Sequence, residues 1–373
     1  MNSVSVNSVS VNKFRIQIKK IPYLSLKELI VLKLLVFEYA NAVGLEDPAT
    51  TVEGKHMLEG LLNDFNHIGA NYIISKDSKN NYNLDNGTYG NCTPIVIDDE
   101  LIPWLEENVA RFDACLLVAP EENLILYKII KILEKNKVKN LGSSSDAVLA
   151  CSDKYETYNL LKNDLPMIET EKVFFNSLKD YKDIFSKGKN MLVKPVDGIS
   201  CSGVRIVESY ADFIKASTHL KRTTNLPYFL LQDIVEGKST SVSILSTGEQ
   251  AMPLSLNRQN IGFDKGKLVY SGGKVPYEHK LSDEAKDIAK RAVESVEGLK
   301  GYVGVDLLLD EAQNEIYILE INPRLTTSYV ALRRLLNFNL GEAIVNAING
   351  ELPADIKLEG SLNFYKGEDI TFK

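Results

Sequence analysis

Apolar positions near the start of the chain follow two patterns in turn. From Val31 the run Val-Leu-Lys-Leu-Leu-Val-Phe-Glu-Tyr is almost continuously apolar, which predicts a strand buried on both faces of a parallel sheet. Gly54 to Phe65 then sets Met57, Leu58, Leu61, Leu62 and Phe65 at helical spacing. Ala114 to Ala119 predicts another buried strand. Asn123 to Lys135 predicts a helix with Leu124, Tyr127, Ile130 and Ile132 on or near its inner face. Between these units, Lys76 to Asn91 is almost wholly polar and Asn/Gly-rich, a long surface loop. Strands alternating with helices predict an α/β domain with a covered parallel sheet and ligand loops at its strand ends.

Towards the carboxyl end the pattern becomes that of a hairpin. Tyr302 to Leu309 and Glu315 to Ile321 are apolar, β-rich runs on either side of the polar turn Asp310-Glu311-Ala312-Gln313-Asn314. Side chains alternate faces along a strand, so Glu320 and Asn322 share a face, with Asp306 roughly across from them on the neighbouring strand. Three oxygen-bearing groups, Asp306, Glu320 and Asn322, are thus candidates to hold one metal. Hard oxygen ligands suit Mg²⁺, which usually keeps waters and takes further ligands from substrate phosphates, so the hairpin predicts a nucleotide. The competing reading is a surface hairpin with solvated acids. It leaves unexplained a carboxylate between Leu319 and Ile321, because an unpaired buried carboxylate is costly.

Leu319-Glu320-Ile321-Asn322-Pro323-Arg324, preceded by Gly304-Val305-Asp306, resembles the metal hairpin of the ATP-grasp superfamily. Most members of that family join a carboxylate to an amine through an acyl-phosphate. Upstream segments resemble the family's motifs in order: Ser152-Asp153-Lys154-Tyr155-Glu156-Thr157, then Met191-Leu192-Val193-Lys194-Pro195, Asp197 to Gly203, and Leu230 to Gly237. The resemblance spans about Gly142 to Gly341 and implies ATP and Mg²⁺, with Mn²⁺ as a substitute metal. It also implies a fold: a parallel-sheet amino-terminal domain over 31–141, then a two-part ATP-grasp body, α+β in character, over 142–225 and 226–373.

The resemblance assigns roles to residues. By resemblance Lys154 is placed at the α-phosphate region and Lys194 at the α/β-phosphates or the adenine edge, and both are candidate catalytic groups because transfer of a phosphoryl group needs cations to offset developing charge. Lys194 follows Met191-Leu192-Val193, where burial would leave an unpaired ammonium unfavourable. Ser200, Ser202 and Gly203 lie in a small-residue loop whose backbone N–H groups can reach phosphate. Gln232 and Asp233 are placed at the adenine edge, and Val235 offers a backbone amide and apolar cover. Ser239 stands where many relatives carry a ribose-binding carboxylate, with Glu236 as a substitute. Gly237-Lys238-Ser239 looks like the end of a P-loop, but the required first glycine falls at Gln232, so that reading is rejected.

Arg258 and Arg324 are the candidates to hold an anionic substrate, since guanidinium forms bidentate pairs with carboxylate or phosphate. Thr326-Thr327-Ser328 would open a helix running through Ala331 to Leu336 and present an anion-friendly end, or act as a plain cap. Attack by an amine also needs a base, because an alkylammonium resembles lysine, with a pKa of about 10.4. Glu38, with Tyr39, and Glu53 are the candidates.

Composition narrows the partners. The 373 residues are 44% hydrophobic and 25% charged, ordinary for a globular protein of two or three domains. A net charge of -7 without a Lys/Arg block argues against nucleic acid. Four cysteines (Cys92, Cys115, Cys151, Cys201) and four scattered histidines show no zinc spacing, and reduced thiols in a cytoplasmic protein fit them best. Asn86-Gly87-Thr88 satisfies the glycosylation pattern, but no apolar run approaches the ~18 residues of a membrane span and no signal segment leads the chain. Residues 1–30 hold a low-complexity leader in which Asn2-Ser-Val-Ser-Val recurs at Asn7.

A narrower resemblance concerns substrate. Val36-Phe37-Glu38-Tyr39-Ala40, Glu53-Gly54, Met57-Leu58 and Leu256-Asn257-Arg258-Gln259-Asn260 are similar to an archaeal ATP-grasp family that joins the γ-carboxyl of L-glutamate to tyramine in methanofuran biosynthesis. That resemblance implies L-glutamate and tyramine as small-molecule partners, and leaves a homodimer open. The alternatives are another amino-acid or dipeptide ligase, a nucleotide-binding regulatory protein, and phosphoryl transfer to a stable acceptor. Retention of Asp306, Glu320, Asn322 and both lysines argues for catalysis.

Overall fold

The computed structural model describes residues 33–82, 88–198, 203–264 and 267–373. The leader, Ser200, Ser202, Cys201 and Asn86-Gly87 of the glycosylation pattern lie outside them. Among the described residues three sheets carry the fold. The first holds β1 (Leu34–Glu38), β2 (Asn71–Ser75), β3 (Thr93–Ile97), β4 (Ala114–Val118) and β5 (Lys139–Asn140) in the order β3-β2-β1-β4-β5, all parallel. β1 and β4 are buried along their whole length and, apart from Glu38, apolar, because helices cover both faces.

Helix boundaries differ from the apolar pattern where polar caps decide them. β1 stops at Glu38, whose carboxylate accepts the N–H groups of Ala40 and Asn41 (both 3.0 Å) and caps the helix Tyr39–Val43. Tyr39 is therefore helical rather than the end of the strand. The next helix begins at Pro48, not Gly54, because Asp47 caps it through the Thr50 N–H (3.1 Å) and proline fits the first turn. The extra length brings Glu53 onto this helix. Gly54 lets the helix close on β1, since a Cβ there would lie 2.1 Å from the Glu38 carboxylate.

Past Ala119, a single turn at Glu122–Leu124 with Asn123 at φ 53° delays the helix to Ile125–Lys135. Its inner face is Leu126, Ile129, Ile130, Ile132 and Leu133, so Leu124 and Tyr127 are only half-buried. The polar stretch from Lys76 is less superficial than its composition predicts. Tyr82 and Tyr89 are buried, and Tyr89 meets Tyr72 edge-on at 5.9 Å.

The body holds two antiparallel sheets. β6 (Thr170–Phe174), β7 (Met191–Lys194), β8 (Arg205–Val207) and β9 (Tyr228–Asp233) form the order β6-β9-β7-β8, packed by Phe213, Ala216 and Leu220 of the helix Tyr210–Thr223. Since β9 sits in this sheet, the two body sheets divide between Asp233 and Lys238 rather than at 225/226. The larger sheet contains β10 (Lys238–Ser246), β11 (Ala251–Asp264), β12 (Lys267–Val275), β13 (Gly301–Asp310), β14 (Glu315–Asn322), β15 (Leu362–Lys366) and β16 (Ile370–Phe372). Its order is β14-β13-β10-β11-β12-β15-β16. A buried hub joins the amino-terminal domain to the body: Asp64 accepts from Arg333 Nε (3.0 Å), the Tyr329 hydroxyl (2.6 Å) and the Gly341 N–H (3.1 Å). Among the described residues no helix is long and apolar enough to cross a membrane.

Candidate active site

A cleft of ≈ 340 Å³ is lined by residues of the four-stranded and seven-stranded sheets. At its polar side the β13–β14 hairpin pairs Asp306 with Glu320. The register slips next to this pair, because Leu307 faces Ile318 and Leu319 is left as a bulge. Without that extra residue Glu320 would not stand opposite Asp306. Gly304 permits the hairpin's close approach to the following segment, since a Cβ there would lie 2.5 Å from Thr326 Cγ2.

The two carboxylates are electrostatically frustrated. Burial, then repulsion by Glu320, raises the Asp306 pKa well above its ordinary value. For Glu320, burial would do the same, but Lys154 at 3.0 Å outweighs it and the pKa is lowered. Gln259 Nε2 donates to Asp306 Oδ1 at 3.1 Å. Asn322 adds a buried amide on the Glu320 face. A divalent cation would relieve this repulsion, and two carboxylates with an amide suit Mg²⁺ completed by water and phosphate oxygens. Among the described residues no group of three or more His, Cys, Asp or Glu is placed to hold a metal.

Both predicted lysines face this centre. Lys154 opens the helix Lys154–Leu161, capped by Asp153, and its Nζ also donates to the Gly198 carbonyl at 2.6 Å. That bond ties it to the described edge of the small-residue loop. Lys194 ends β7, and burial followed by repulsion from Lys154 pushes its pKa down to about 8. Neighbouring buried ammoniums make a site for an anion. Gly203, at the other edge of the loop, adopts φ 76°, a conformation that favours glycine.

The predicted adenine end lines the same cleft through Gln232, Asp233, Val235 and Ser239, with Ile168, Leu192, Ile206 and Leu308 as apolar cover. Gln232 and Asp233 are engaged by the fold, since the Gln232 amide donates to Thr170 Oγ1 (2.7 Å) and Asp233 pairs with Lys189 (2.7 Å). Glu236 is exposed and outside the lining. Lys238 is exposed at the start of β10 and lies 3.8 Å from Glu311, away from the phosphate lysines' partners.

The two arginines part ways. Arg324 lines the cleft, but its Nε lies 3.0 and 2.9 Å from the Glu121 carboxylate oxygens and its second nitrogen 2.9 Å away, so Glu121 fixes its direction. Arg258 also lines the cleft and makes no ion pair among the described residues, which leaves it the freer group for a substrate anion. The expected long helix after Thr326 is one short turn, Ser328–Leu332, without a side-chain cap. Instead, Thr326, Ser328, Ser243 and the Tyr302 hydroxyl share hydrogen bonds of 2.7 to 3.4 Å. Beside them Asn257 Oδ1 is buried without a hydrogen-bond partner among the described residues.

Of the base candidates, Glu38 is spent on capping and lies outside the cleft lining, whereas Glu53 lines it. Sequence reading assigned no role to Glu121, Gln259, Tyr270, Phe364 or Lys366. Gln259 alone had a local signal, because it alternates with the cleft-lining Asn257 along a strand.

The ATP-grasp domain family matches residues 151–328, and the pre ATP-grasp 3 domain family matches residues 81–148. The tyramine–L-glutamate ligase of Methanocaldococcus fervens is 37% identical over 333 residues, covering 88% of this chain and 97% of that protein. The enzyme of the same name from Methanocaldococcus jannaschii is 36% identical over 341 residues, covering 89% and 95%. Among solved structures, the biotin carboxylase–β,γ-ATP complex from Campylobacter jejuni has the same fold, with a TM-score of 0.72 at 16% identity over 90% of this chain and 76% of that one. Near full-length similarity to these two ligases, together with the matching ATP-grasp domain family, places this chain in the ATP-grasp family.

Proposed function

We propose that this chain uses ATP and Mg²⁺ to join the γ-carboxyl of L-glutamate to the amine of tyramine. The observation that carries the reading is the convergence of Lys154, Lys194, Asp306 and Glu320 on one cleft, in a chain more than a third identical to two tyramine–L-glutamate ligases along nearly its whole length. A γ-carboxylate oxygen attacks the γ-phosphorus of ATP, the bond to the bridging oxygen breaks, and ADP leaves. The amine nitrogen then attacks the acyl-phosphate carbonyl, phosphate leaves, and the amine's proton is lost.

Asp306, Glu320 and Asn322 would hold Mg²⁺, which when bound would offset the negative charge of the phosphates. Lys154 and Lys194 orient the phosphates and offset their charge, and Arg258 holds an anionic group of the acid. Incubating the purified protein with ATP, Mg²⁺, L-glutamate and a panel of amines tests this reading. The expected products are γ-glutamyltyramine, ADP and phosphate, identified by mass and nucleotide analysis. AMP as the nucleotide product, or preference for an amino-acid acceptor over tyramine, would reject the specific assignment.

A further inference from the structure

Apart from the candidate metal and phosphate residues, a further ion pair adjoins the cleft: Glu53 lines it, and Lys366 stands behind Glu53. Glu53, from the helix Pro48–Asp64, accepts the Thr327 hydroxyl while pairing with Lys366 Nζ from β15. The two side chains are 15% and 14% exposed. Lys366 Nζ lies 5.2 Å from the centroid of the Tyr270 ring, and Tyr270 and Phe364 line the same cleft. Burial, then the neighbouring Glu53 charge, raises the Tyr270 phenol well above its ordinary pKa. Its structural purpose is weak. His56 already meets Asp369 at 2.5 Å between the same helix and the β15–β16 hairpin, and a largely buried ion pair adds little stability over apolar packing.

Building on the ligase reading above, we propose that Glu53 and Lys366 form the subsite for the α-amino-acid end of the acid substrate. Glu53 takes the α-ammonium and Lys366 the α-carboxylate, which leaves the γ-carboxyl for phosphorylation. A zwitterion presents the complement of the pair, so docking it leaves every buried charge compensated. The amine substrate carries a cation alone, which Lys366 repels. That asymmetry assigns the subsite to the acid.

The test is steady-state kinetics with tyramine, ATP and three acids: L-glutamate, glutarate, which lacks the α-amino group, and 4-aminobutyrate, which lacks the α-carboxylate. Wild type should prefer L-glutamate over both by ~100-fold or more in kcat/KM, because a site built to bind a polar group rejects its absence. Lys366→Met should raise the KM for L-glutamate by about tenfold or more and erase the preference over 4-aminobutyrate. Glu53→Gln should erase the preference over glutarate. The KM for tyramine and the Kd for ATP should stay unchanged, and Lys366→Arg should keep most of the discrimination. Asp369→Asn breaks the other contact between the same elements and should change neither preference.

A rise in the tyramine KM for Lys366→Met, or an equal effect of Asp369→Asn, would overturn the subsite. If wild type makes no γ-glutamyltyramine, the substrate assignment fails, yet the subsite is still judged by ATP cleavage with other α-amino acids against their des-amino analogues. Preference for the α-amino acids upholds it, and indifference overturns it.

Discussion

The Lys194 ammonium lies buried at the end of β7 with Lys154 beside it, and burial followed by that repulsion brings its pKa to about 8. An unfolded lysine keeps its proton up to about 10.4. Between about 8 and 10 the unfolded chain therefore binds more protons, and this group's contribution to stability rises with pH. Below pH 8 the full penalty stands, on the order of 3 kcal/mol. Lys194→Met should raise the thermal midpoint of the ligand-free protein at pH 7, with the gain shrinking towards pH 10, while ATP affinity by calorimetry falls about tenfold or more. Destabilisation at pH 7 would show that the Glu320 charge outweighs burial. Glu320→Gln removes charge with little change of shape, so Mg²⁺-dependent kcat/KM should fall by ~100-fold or more with the fold retained. Normal turnover at ordinary Mg²⁺ would refute the metal assignment. Asp306, Glu320 and Lys194 were legible in sequence because each is a charge set inside a local apolar run. Glu121 and Lys366 were not, since their partners lie 203 and 313 residues away.

At the scale of elements, the β13–β14 hairpin positions the site through its bulge at Leu319 and its close packing at Gly304. Gly304→Ala would drive a methyl group into Thr326 and disturb the hydroxyl network with Tyr302 and Ser328. The expected cost is about 1–3 kcal/mol of stability, read by denaturation, with a fall in kcat. Wild-type stability and turnover in this variant would show that the loop has room to yield. Lys154→Ala should weaken nucleotide handling far more than Lys238→Ala, because Lys154 faces Glu320 and the small-residue loop while Lys238 stands exposed at the start of β10. A larger defect in Lys238→Ala would revive the P-loop reading. Strand existence was legible from apolar runs. Helix starts were misjudged where Asp47 and Glu38 cap, because apolar periodicity marks the packed face of a helix and not the polar group that ends it.

For the molecule as a whole, the amino-terminal domain packs on the body and adds Glu53 to the lining of a cleft otherwise built by the body. Asp64 gathers Arg333, Tyr329 and Gly341 across that junction, Glu121 aims Arg324, and Glu53 enters the cleft. Asp64→Ala leaves Arg333 buried without its partner and should cost about 3–5 kcal/mol, seen as a lower thermal midpoint; an unchanged midpoint would show that the hub is dispensable. The parallel sheet and the carboxyl-terminal hairpin were legible from the pattern along the chain and the two-part body from the family resemblance, but the docking of one on the other rests on long-range pairs that no local signal announces. The central claim is that the γ-carboxylate of L-glutamate takes the phosphoryl group before the amine attacks. It is tested by supplying L-glutamate carrying ¹⁸O in its γ-carboxyl with tyramine, ATP and Mg²⁺, and weighing the phosphate released. An acyl-phosphate route transfers a single γ-carboxyl oxygen to each phosphate, so labelled phosphate should appear in step with γ-glutamyltyramine. Unlabelled phosphate accompanying the same amide product, or label recovered in AMP, would contradict the account.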